Sequence, residues 1–159
     1  MYVSAQVPLQ EALAQLADPS LTAETARPIE EKAEKAARLF VQSCRRRAVR
    51  GQHSCREIAG DGTGGPLFAD TSVLQQESVR RYTIQNNYLW DCIEPLDRLE
   101  RYRTALRQQL EQMGLKDFSI CKTPFNTYRA DVVIPGFWTD EKTETQEIPS
   151  WYLEITARW

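Results

Sequence analysis

The last nine residues, Trp151 to Trp159, read WYLEITARW, and they decide the fold. Trp151, Leu153, Ile155, Ala157 and Trp159 fall on one side of an extended chain, and Tyr152, Glu154, Thr156 and Arg158 on the other. A period of two fits a half-buried strand and no helix. A large apolar residue at position 159 predicts that this end is pinned in a sheet, since a loose end would fray. Working back, DFSICKT (117–123) alternates Phe118 and Ile120 with Ser119 and Cys121, and TYRADVVIP (127–135) alternates Tyr128, Ala130, Val132 and Ile134 with Arg129, Asp131 and Val133. These predict two more strands. The acidic, polar stretch 139–147 predicts an exposed loop before the last one.

Helical spacing dominates further upstream. Leu9, Leu13 and Leu16 predict a short helix over 8–17, stopped by Asp18-Pro19-Ser20. A second helix is predicted over 28–50. Pro28 suits its first turn, Glu30 and Glu31 suit its positive end, and Gly51 suits the residue past its end. Ala33, Ala37, Phe40, Cys44 and Ala48 form its apolar stripe, with Glu31/Lys35 and Glu34/Arg38 as ion pairs on the wet side. A third helix over 95–113 carries Leu96, Leu99, Leu106, Leu110 and Met113, opens at Pro95 and closes at Gly114, with Leu115 folding back on its last turn. QHSCREIAG (52–60) predicts a short strand, GDGTGGP (60–66) a flexible loop, and 71–85 a helix followed by a link at Asn86-Asn87.

The class predicted is α+β, as one domain over 1–159. N-terminal helices and one long central helix would pack on a small, mainly antiparallel sheet of three to four strands, formed largely by the C-terminal third. Residues 1–20 would be an arm or short helix.

Composition narrows the function classes. A net charge of −2, 42% apolar and 26% charged residues are those of a soluble globular chain. No stretch approaches the ~20 apolar residues of a membrane span, and the first twenty residues hold no Lys or Arg, unlike a secretory signal. Cys44, Cys55, Cys92 and Cys121 include no C-x-x-C pair and read as reduced thiols of a cytoplasmic protein.

The single histidine, His53, excludes two-histidine chemistry and Cys/His zinc clusters. It stands two residues from Cys55, so in a strand both would face one way, and an imidazole there could activate a thiol. No third group orients the pair. GDGTGG lacks the Lys-Ser/Thr of a phosphate loop and the flanking elements of a dinucleotide fold. Asp91, Glu94 and Asp97 suit a helix start better than acid–base chemistry. No catalytic residue, metal or cofactor is assigned.

The strongest lead is basic. The chain has 15 Arg against 5 Lys, and from Arg38 to Arg56 it places six arginines and no acid. Arg98 to Arg107 adds four more against one Glu. Arg45, Arg46, Arg47, Arg50, Arg56 and Arg101 are the candidate binding residues, on neighbouring surfaces if the two helices lie side by side. The reading is a cytoplasmic binding or assembly module of bacterial or phage type. It would hold a protein partner or a second copy through its Arg-rich or aromatic face. A nucleic-acid binder using Arg38–Arg56 is the alternative, and a Cys/His-dependent enzyme the third.

Overall fold

The computed structural model describes residues 2–3, 19–85, 89–136 and 140–159, with side chains from Ile29 onward. Its backbone is organised by one long hairpin. Strand β6 (Phe118–Ile134) pairs antiparallel with β7 (Lys142–Arg158), from Phe118↔Ala157 to Ile134↔Lys142. Beyond β6 lie β4 (Arg81–Gln85) and then β1 (Tyr2–Val3). Along the other edge of β7 lie β2 (Ser54–Ile58) and β3 (Leu67–Ala69), and β5 (Ile93–Pro95) runs parallel to β3. The result is a curled, mixed, seven-stranded sheet. Two α-helices accompany it among the described residues, α1 (Pro19–Val49) and α2 (Leu99–Gln112).

The α+β class holds, but the predicted architecture does not. The sheet is larger than three to four strands, draws strands from both halves of the chain, and is mixed because β3 and β5 run parallel. The long helix is N-terminal, not central. The two strands predicted over 117–135 are one strand. It continues because Pro124, which has no N–H for a ladder bond, sits where the ladder is already interrupted. Residues 142–147 are strand, not loop. Residues 71–85 are not a helix: Thr71–Gln75 is a 3₁₀ turn, capped by the Asp70 carboxylate accepting from the Ser72 N–H at 3.2 Å, and Arg81–Gln85 is β4. The helix predicted over 8–17 and the link at 86–87 lie outside the described residues.

Helix α1 begins at Pro19, the motif read as a stop, and runs through Pro28. Its end is as predicted. Gly51 takes φ +80°, its N–H bonds Ala48 O at 3.0 Å, and Gln52 N–H bonds Arg47 O at 3.0 Å. Helix α2 closes the same way, with Gly114 at φ +92°, Gly114 N–H on Glu111 O and Leu115 N–H on Leu110 O, both 3.0 Å. This paired bond pattern satisfies carbonyls that the helix leaves over, and only glycine adopts the backbone turn without strain.

The β6–β7 ribbon carries two cores, on opposite faces. Near its open end, Ile120, Leu153, Ile155 and Ala157 face α1 and α2, packing with Phe40, Cys44, Cys55, Phe68, Tyr102, Leu106 and Leu110. Towards its turn, Tyr128, Ala130, Val132 and Ile148 pack with Leu74, Val79 and Ile84. On β7 the buried positions switch from even (Ile148, Ser150) to odd (Leu153, Ile155, Ala157), so the buried face changes. On β6 they stay even, because a bulge puts Phe125 and Asn126 opposite Ser150 alone. One extra residue turns every later side chain to the other face. The Ser150 hydroxyl donates to Asn126 O across this point. Strand β3 joins the cores, with Phe68 in the first and Ala69 in the second.

Strand β7 is therefore central. Trp159 lies just past it: its N–H bonds His53 O at 3.0 Å, but the residue is 44% exposed. The backbone of this end is tied down, and not by the apolar side chain. Ala48, the last residue of the predicted stripe, is also exposed, because the core stops one turn earlier at Cys44.

Candidate functional site

The basic stretch forms the C-terminal turns of α1 and the strand after it. Helix α1 buries Ala33, Ala36, Ala37, Phe40, Ser43 and Cys44, so the opposite face carries Arg38, Arg45, Arg46 and Val49, with Arg50 at its margin. Val49 is 88% exposed, the most open of the large apolar side chains among the described residues.

The six candidate arginines do not share one environment. Arg47 turns back towards β2, 3.6 Å from Glu57. Arg56 lies on the uncovered sheet face, bound to Glu154 at 2.7 Å; that bond holds its guanidinium more firmly protonated than usual. Arg46 donates to the Ser43 hydroxyl at 3.0 Å and stays exposed. Arg45 and Arg50 have no carboxylate within 4 Å among the described residues. Arg101 is elsewhere, lining a shallow groove between the helices with Glu30, Glu100, Thr104 and Gln108. Glu30 stands fifteen residues, about 22 Å of helix, before Arg45. The structure thus brings Arg45, Arg46 and Arg50 together and sets Arg47, Arg56 and Arg101 apart.

Several of the aromatic residues pack on one another. Phe68 packs on Tyr102 with centroids 5.5 Å apart, Trp90 on Tyr128 at 5.6 Å and Phe125 on Tyr152 at 6.0 Å. Lys122 sits 4.2 Å over the Trp151 ring. Trp159 alone is exposed among the described aromatic side chains, while Trp90, Phe118, Phe125, Trp151 and Tyr152 are half-buried.

His53 and Cys55 are not assembled as a pair. His53 is exposed just before β2, while Cys55 is buried against α1. Burial first, then the Glu57 carboxylate, raises the Cys55 thiol above its ordinary range, the reverse of what a nucleophile needs. The glycine loop is a packed turn, not a flexible connector. Asp61 is buried and accepts from the Thr63 N–H at 3.0 Å and its hydroxyl at 2.5 Å. The Asp61 N–H bonds Gly65 O at 2.9 Å, and a Cβ on Gly65 would lie 2.7 Å from that of Cys92. An internal carboxylate thus occupies donors that a phosphate would need. Glu94 is a clamp: Lys32 at 2.8 Å and Arg98 at 2.7 Å both bind it, tying α1 to the start of α2. Asp91 and Asp97 stay exposed.

Among the described residues no group of three or more His, Cys, Asp or Glu could hold a metal. No described helix is long and apolar enough to cross a membrane. Comparison with protein-family models, with curated proteins and with solved structures finds no match to this chain.

Two features escaped the sequence reading. One is the meeting of Cys44 with Cys55, whose only signal was their spacing across the Gly51 turn. The other is the Lys32–Glu94–Arg98 clamp, which spans 62 residues and leaves no local pattern.

Proposed function

We propose that this chain is a cytoplasmic binding module whose contact surface is the outward face of the C-terminal half of α1. Its occupant is an acidic protein segment that also carries apolar side chains. The observation that carries the reading is Val49, 88% exposed among Arg45, Arg46 and Arg50. Arg45 and Arg50 lack carboxylate partners among the described residues, so a partner's carboxylates meet guanidinium groups that need not first break an internal pair. A valine at the centre suits an amphipathic partner better than a phosphate backbone, and a net charge of −2 gives no general attraction to nucleic acid.

The test titrates four labelled probes at 50 and 150 mM salt. They are a Glu-rich helical peptide with a leucine stripe, a peptide of equal charge without it, a 20-base-pair DNA duplex and a single-stranded RNA. The leucine-bearing peptide is expected to bind at least about tenfold tighter than its control. That preference should vanish in Val49→Asp, and binding itself in the Arg45→Glu/Arg46→Glu/Arg50→Glu triple variant. Tighter binding of DNA or RNA, unaffected by Val49→Asp, replaces this reading with the nucleic-acid one. Equal, weak binding of all four overturns both.

A further inference from the structure

We propose that Cys44 and Cys55 are a redox-modification site, a buried dithiol that a small-molecule disulfide converts into an intramolecular disulfide bond. The site does not depend on the binding surface proposed above. Cys44 lies in the closing turns of α1 and Cys55 in the first half of β2. The turn at Gly51 reverses the chain between them, so both side chains enter the same core, at 7% and 1% exposure. There they sit in one buried cluster, close enough for each thiol to shift the other's ionisation. Cys92 is half-buried and donates to Thr63 O at 3.4 Å, and Cys121 is exposed on the uncovered sheet face. Of the four cysteines, all free, only this pair supplies two sulfurs to one place from two different elements.

The chemistry balances in two exchange steps. One protein thiolate attacks a disulfide RSSR, forming a mixed disulfide and releasing RS⁻. The second thiolate attacks the protein sulfur of that bond and releases the second RS⁻. Two protein thiols give up two electrons and two protons, and RSSR leaves as 2 RSH. Seating both sulfurs in one core makes the second step intramolecular. Burial makes the first step slow. The Cys44 thiol is pushed up to about 12, by desolvation first and then by Cys55 and Glu57, with Arg47 opposing. Exchange should therefore speed up about tenfold per pH unit between pH 7 and 9, as the thiolate fraction grows.

The experiment equilibrates the native protein in glutathione buffers of graded ratio, quenches free thiols with an alkylating agent, and maps peptides without reduction. A linked Cys44–Cys55 peptide is expected to accumulate, while Cys121 carries glutathione alone. Half-linkage should need a buffer at least about tenfold less oxidising than in 8 M urea, because the fold holds the sulfurs together. Thiols or separate glutathione adducts at both positions, or a linkage no easier than in urea, would overturn the proposal. In Cys44→Ser, Cys55 should link to neither Cys92 nor Cys121; such a cross-link would mean that the fold does not select the pair. If that variant fails to fold, the comparison with urea on the native sequence still decides.

Discussion

The two ends of the β6–β7 ribbon solve the same problems differently. At the open end the ribbon is covered by helices, and the arginines on the outermost helix face keep their charge unneutralised. At the turn end it is covered by the 3₁₀ segment and flanked by β4, and part of the charge is paired: Arg80 and Arg81 hold the two oxygens of Glu141 at 2.6 and 2.9 Å. Lys142 meets Glu144 at 3.1 Å. An arginine-rich composition therefore does not by itself produce a bare basic surface. Here the surface arises where α1 outruns the elements that could supply carboxylates.

The largest effect that would break this comparison lies at the bulge. Deleting Asn126 should turn Tyr128, Ala130 and Val132 out of the second core and cost more than about 4 kcal/mol in urea unfolding. A midpoint near that of the parent chain would mean that the two faces are not distinguished. Core truncations come next. Leu106→Ala in the first core should cost about 2–5 kcal/mol. Ile148→Ala should cost a similar amount, but its loss of amide hydrogen-exchange protection should concentrate in 127–134 and 142–150, leaving α2 protected.

Alkaline pH separates the ends further. Tyr102 is buried in the first core, its hydroxyl donating to Ala59 O at 3.1 Å. Desolvation, then the Asp61 carboxylate, raises its phenol far above the usual range. The folded state thus keeps a proton that the unfolded chain releases. Stability from this group is whole below pH ~10 and falls by about 1.4 kcal/mol per pH unit above it. Tyr102→Phe should flatten that slope in unfolding curves between pH 10 and 11, while Tyr82→Phe in the second core, raised by partial burial alone, should change it less. Gly65→Ala should cost about 1–3 kcal/mol by driving a methyl group into Cys92, with partial recovery in Gly65→Ala/Cys92→Gly. Surface charges end the series. Arg80→Ala should cost about 0.2–1 kcal/mol by thermal unfolding and Arg45→Ala nothing measurable, since only the first loses an ion pair.

The parts of the fold legible in the sequence were those written in a local period or a local turn. Gly51 and Gly114 ended their helices where glycine was needed, and the alternation of 151–158 marked a true strand. Strands β3 and β5 are three residues each, too short to show a period, and so the sheet looked smaller than it is. The bulge was hidden because Ile120 and Tyr128 to Val132 keep the same numerical parity on both sides of it. Pro19 was misassigned because proline fits equally after one helix and in the first turn of the next, and Pro28 because a proline inside a helix is the costly exception. The cluster at Arg45–Arg50 was visible as composition. That Arg47 and Arg56 would find acids on β2 and β7 depended on strand pairing that no local pattern encodes.

The central claim, one ribbon burying opposite faces at its two ends, is tested most directly by single cysteines placed in turn at 147–157 on β7. Native-state alkylation rates would be read by mass spectrometry. Protection at 148 and 150, giving way to protection at 153, 155 and 157, is the result expected. One unbroken parity of protection along the whole strand would contradict it.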